Sequence, residues 1–162
     1  MGQEFFNDIK KNSKYLKALY NYPTLWQNPI MLKQANDDYN AIKSKNGFIE
    51  QMYSTLPYTL TDQDKSDIRH PITNYKFMQK YPEDFVRDLG KFKEDADQED
   101  SKPLWDTEQD LINNEFGIEL YKKYPYAPDI IIFDKILQKN GLPIPLRNNK
   151  LFGYITNTTE EQ

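Results

Sequence analysis

Leu32, Tyr39, Asn46 and Tyr53 recur every seven residues, and Ala35, Ile42, Ile49 and Leu56 repeat the period three places later. Read as heptads, this is an a/d seam with a lone Asn at one a position. Asn28 and Pro29 supply an N-cap and a first helical residue, and Pro57 closes the segment. Asn46-Gly47 is a competing stop signal. The phase of the seam carries across the glycine, so one helix over 29–56 is the expectation.

The rest of the chain shows shorter apolar stripes of helical period. Phe5, Ile9, Leu16, Leu19 and Tyr20 form the first, ended by Tyr22-Pro23 because the residue before proline is pushed out of the α region. Thr61 caps a short acidic helix that breaks at His70-Pro71. Ile72, Tyr75 and Met78 add a further turn or two. After Pro82, the set Phe85, Val86, Leu89 and Phe92 carries a helix up to an acidic run. That run and Ser101-Lys102-Pro103 read as a mobile linker over 94–103. Asp106 or Thr107 then caps a helix bearing Leu111, Ile112, Phe116 and Leu120, and Pro128-Asp129 opens a last one closed by Asn140-Gly141. Residues 142–156 pattern as a hairpin turning at Asn148-Asn149, its prolines confining the first strand to an edge.

The pairs Tyr22-Pro23, Tyr81-Pro82 and Tyr124-Pro125 each fall where one stripe ends and another begins. Proline stops the helix and tyrosine supplies its last ring. The pattern predicts a mainly α, irregular multi-helix domain of short-to-medium helices with a small C-terminal β-hairpin. One domain spans 1–162.

Composition narrows the chemistry. A chain of 162 residues can bury a core without staples. With no cysteine, disulfides, zinc-thiolate sites and thiol nucleophiles are excluded. The start, MGQEFFNDIKK, has no apolar core of signal-peptide length, and no window approaches the ~18 apolar residues of a membrane span. A cytoplasmic location in the producing cell, or incorporation in a virion, is the expectation. Lys, Asn, Ile and Tyr are abundant while Arg, Ala and Gly are scarce, which points to an AT-rich genome, a low-GC bacterium or a phage growing in one.

Candidate catalysts are few. The single histidine, His70, reads as a helix-end residue beside free carbonyls rather than as a base, and no GxSxG elbow is present. Scattered glycines offer no phosphate-cradling loop. Asp95, Asp97 and Glu99, with Asp106 beyond, alternate like calcium-loop ligands. However, Asp100 stands where the turn needs glycine, Asp replaces the bidentate Glu, and Pro103 interrupts, so a charged linker is expected there. No catalytic, cofactor or metal residues are assigned. The twelve tyrosines suit wet contact surfaces as well as cores, and Tyr39, Tyr53, Tyr121, Tyr124 and Tyr126 are the candidate partner contacts. Lys10, Lys14 and Lys17, with Tyr15 among them, are weak candidates for nucleic acid against the alternative of a solvated helix face. A net charge of −4 disfavours bulk attraction to nucleic acid. The function expected is therefore non-enzymatic: a structural, assembly or interaction protein of phage origin, connector-proximal or internal to the head, with other subunits as partners. The alternative is a small regulator or inhibitor of a host protein or nucleic acid.

Overall fold

The computed structural model describes residues 13–98 and 103–146. In chain order the helices are α1 (Ser13–Tyr20), α2 (Pro23–Trp26), α3 (Pro29–Lys43), α4 (Phe48–Tyr53), α5 (Asp62–Met78), α6 (Glu83–Gln98), α7 (Leu104–Lys123) and α8 (Asp129–Lys139). Among the described residues there is no strand, and no helix is long and apolar enough to cross a membrane. The fold is mainly helical.

α5 is the hub. Its most extensive contact is with α7, α6 packs on α7, α8 packs on α5, and α1 and α2 lie on α6. One apolar cluster joins Leu25, Leu32, Phe77, Phe85, Phe92 and Ile118 under α1 to α3. A second joins Ile49, Ile68, Ile72 and Tyr75 to the buried face of α8. Each fully buried Ile or Phe stabilises the fold by roughly 1.5–3 kcal/mol. On the outer edge Arg87 bridges α6 and α7. Its guanidinium meets Glu115 at 2.7 Å and Glu83 at 3.1 Å, and Glu115 holds it more firmly protonated than usual.

Several local signals act as the sequence predicts. Thr61 accepts from the Asp64 N–H and Asp64 accepts from the Thr61 N–H, a reciprocal capping box. Pro29 opens α3, Asp129 opens α8, and Gly141 at φ 70° ends it.

Five expectations need correction. The 29–56 seam is two helices, not one. Ser44 is extended and the Gly47 N–H returns to the Ser44 carbonyl at 2.9 Å. Any Cβ at Gly47 would sit 2.4 Å from the Ala41 carbonyl oxygen, so only glycine closes this turn. Asn46 is exposed in the turn, while Leu32, Ala35 and Ile49 are buried in the chain's own core, so the seam packs intramolecularly.

The break at His70-Pro71 does not occur. α5 runs through Pro71. Proline has no N–H for the Asp67 carbonyl, four residues back, and the Asn140 side-chain amide donates to that carbonyl instead at 3.3 Å. The 94–103 linker is not a linker over its first half: α6 extends to Gln98 because Phe85, Leu89, Phe92 and Ala96 continue one buried stripe, and Glu94 is buried too. Residues 99–102 lie outside the described residues. α7 begins at Leu104, directly after Pro103, so Asp106 and Thr107 stand in its first turn rather than capping it. Finally, the hairpin finds no support in its described part. Residues 142–146 are irregular; Pro143 and Pro145 offer no N–H to a ladder, and the Pro143 carbonyl accepts from the Tyr58 hydroxyl at 2.6 Å. The remainder of the expected hairpin lies outside the described residues.

Candidate functional site

Asp67, His70, Pro71 and Asn74 lie at helical spacing on one face of α5, and Asp110, Asn113, Asn114 and Gly117 do the same on α7. The two stripes face each other. Gly117 makes this possible, since a Cβ there would lie 2.1 Å from the Pro71 carbonyl oxygen. Around that close crossing the contacts are polar. The Asn113 amide donates to Asp67 Oδ1 at 2.9 Å, and His70 meets both Asp110 and Asn114.

The hydrogen bonds fix one proton of the histidine. The His70 backbone carbonyl can only accept, so the Asn74 group 2.8 Å from it is the amide nitrogen. The same nitrogen lies 2.9 Å from Asn114 Oδ1 and donates to it. Asn114 Oδ1 is therefore an acceptor, and His70 Nδ1, 3.0 Å away, must carry the proton it shares. In the neutral ring the lone pair is then on Nε2, which points at Asp110 Oδ1 across 3.3 Å.

Glu94 of α6 completes the cluster. One donor atom from each of His70, Glu94 and Asp110 lies within 4.8 Å of the others. Both carboxylates belong to residues only 3% exposed. They border a pocket of about 260 Å³ between α5, α6 and α7, with Tyr39 of α3 at its side and Arg69 and Lys93 in its wall. Thr73 also lines it; this residue is 5% exposed and its hydroxyl has no hydrogen-bond partner. A nitrogen and two carboxylate oxygens from three separate helices make a donor set for a divalent ion, or a base flanked by two acids.

The sequence-predicted contacts are scattered by comparison. Tyr124 is buried, and its carbonyl accepts from the Tyr75 hydroxyl at 2.5 Å. Tyr121 is half-buried, edge-on to Tyr75 at 5.7 Å. Tyr53 is half-buried against Phe133 and donates to the Lys65 carbonyl at 3.1 Å; burial raises its pKa. Tyr39 is half-buried beneath the Lys93 ammonium, 3.4 Å from the ring centre. Only Tyr126, 94% exposed, is presented outward. The five rings form no common face: four are partly or fully buried against different neighbours, and Tyr126 stands alone.

Of the lysine face, Lys10 and the Lys14 side chain lie outside the described residues, Lys17 is exposed, and Tyr15 packs on the core. Asp95 sits on α6, where it accepts from the Tyr22 hydroxyl; burial and then this carboxylate raise the pKa of that phenol. His70 is not at a helix end but in the middle of α5. The sequence reading missed Glu94, Asp110, Asn114 and Thr73. The signal that could have found the α5–α7 pair was the matched polar stripe on two helices. Comparison with known protein families, curated protein sequences and solved structures yields no match for this chain.

Proposed function

We propose that the protein works through the polar pocket between α5, α6 and α7, as an enzyme of the acid–base or hydrolytic kind acting on a small polar ligand. One observation carries this reading: a histidine, two carboxylates and an unpartnered threonine hydroxyl converge on one pocket beside the densest helix crossing. Apolar side chains of similar size would stabilise such a junction at least as well, so the polar set is better explained by a ligand than by folding. The test is the stability of Asp110→Asn and Glu94→Gln. An Asn at 110 can donate to the Nε2 lone pair, so its midpoint in urea should stay level or rise. Losses of about 3 kcal/mol or more in both variants would make the cluster structural and sink the reading.

A second reading keeps the non-enzymatic assembly or interaction role. It is favoured by the parallel stack of Tyr20 on Trp26, ring centres 6.5 Å apart, with both rings and nearby Ile30 exposed. In this reading the partners are other protein subunits, and the protein acts in the cytoplasm or inside a phage particle, as the AT-rich composition suggests. Sedimentation of Tyr20→Ser/Trp26→Ser against the parent decides it: equal association in both removes the stack from any interface.

A further inference from the structure

We infer that His70, Glu94 and Asp110 are the protein ligands of one divalent transition-metal ion, of the zinc or manganese type. The inference rests on the pocket being the working site, and it names the cofactor of that site.

The strongest argument is the orientation of the ring. With Nδ1–H committed to Asn114, His70 turns Nε2 toward a carboxylate oxygen at 3.3 Å, where one ion could take both atoms as ligands. The arrangement behind the ring is also that of a metal-bound histidine, whose second nitrogen donates to an oxygen that orients it. Here that oxygen is held in turn by Asn74, so the imidazole is aimed before any ion arrives.

Distances agree. Ligands bound at about 2.0–2.2 Å around one ion stand roughly 3–3.5 Å from each other in tetrahedral geometry. The three donor atoms already lie within 4.8 Å of one another, so rotation about side-chain bonds is enough to close the set. Charge agrees too. Two carboxylates on residues 3% exposed, beside one imidazole, are the anionic ligands a divalent ion takes. One imidazole nitrogen with two carboxylates suits zinc, manganese or ferrous iron better than calcium or magnesium, which prefer all-oxygen sites.

The Thr73 hydroxyl is the independent sign of a ligand. It faces the same pocket, 5% exposed, with its hydrogen-bonding capacity unused. Three protein ligands leave a coordination position open, as in catalytic rather than structural sites. A water or substrate oxygen in that position has Thr73 within the same pocket to orient it.

The chain contains a single histidine, so its NMR signals report on this site without ambiguity. Protein freed of metal by chelator and dialysis is titrated with zinc chloride, and separately with manganese chloride. Zinc should bind at one equivalent, raise the thermal midpoint and shift the His70 ring resonances, and manganese should broaden the same resonances. Asp110→Asn and Glu94→Gln should weaken binding by about a hundredfold or more, and Asn114→Ala, behind the ring, by about ten- to a hundredfold. Exposed Asp37→Asn on α3 should change nothing. Ring resonances that ignore both ions, or binding that survives Asp110→Asn, would overturn the inference. The two proposals fail separately. Stable carboxylate variants with no metal response discard the ion and keep the pocket. Unstable variants with a metal response make the ion a structural one.

Discussion

α7 and α8 follow one another in the chain and both pack on α5, yet the balance of apolar and polar side chains they bury differs. α8 contributes Ile131, Ile132, Phe133, Ile136 and Leu137, all at 0% exposure. α7 turns Asp110, Asn113, Asn114 and Gly117 toward the same partner helix. An apolar face gains stability with every methylene it hides. A polar face must first satisfy each donor and acceptor, and recovers only about 0.5–1.5 kcal/mol per hydrogen bond. The contrast separates two duties of α5: one side anchors the fold and the other holds the site.

Truncation of the anchoring side should have the largest effect. Phe133→Ala removes a fully buried ring that also packs on Tyr53, and should cost about 3–5 kcal/mol in urea unfolding. A loss below that of the pocket variants would erase the contrast. Gly117→Ala comes next, because the added methyl must push α5 and α7 apart at the Pro71 carbonyl; about 2–3 kcal/mol is expected, with the His70 resonances displaced. A shift in stability without any change at His70 would uncouple the crossing from the site.

Asn140→Ala should cost about 1–2 kcal/mol, since it strips the Asp67 carbonyl of the amide that replaces the missing proline N–H. Adding Pro71→Ala returns an N–H to that carbonyl, so the double variant should recover most of the loss. Strictly additive effects in this double-mutant cycle would refute the replacement. The smallest effect is a gain. Thr73→Val deletes a buried hydroxyl without a partner at nearly constant volume, and should raise stability by up to about 1 kcal/mol. A fall of similar size would mean that the hydroxyl is used within the fold.

What could be read from the sequence follows the range of the interactions. Thr61 with Asp64, Asn28 with Pro29, and Asn140 with Gly141 act over a few residues, and each marks the helix end it predicts. Pro71 was misread because the group that repairs its helix comes from Asn140, far along the chain. Gly47 was misread in the opposite sense: a continuous heptad phase outweighed a glycine whose necessity lies in a carbonyl of the preceding helix. The acidic run misled because charge density hid Ala96 and Glu94, which face inward on the stripe begun by Phe85. The site was the least legible part. His70, Glu94 and Asp110 sit on three helices, and no local spacing relates them. Only the polar stripes of α5 and α7 carried a trace of it.

The contact between Gly117 and Pro71 has a consequence for motion. Where two backbones pass this closely, neither helix can slide along the other without a clash, so the register of α5 against α7 is set there. His70 is the neighbour of Pro71 in the chain, and Asn114 stands one turn before Gly117. The imidazole and its aiming amide therefore sit beside the place where that register is fixed, and a slip of either helix would move them last.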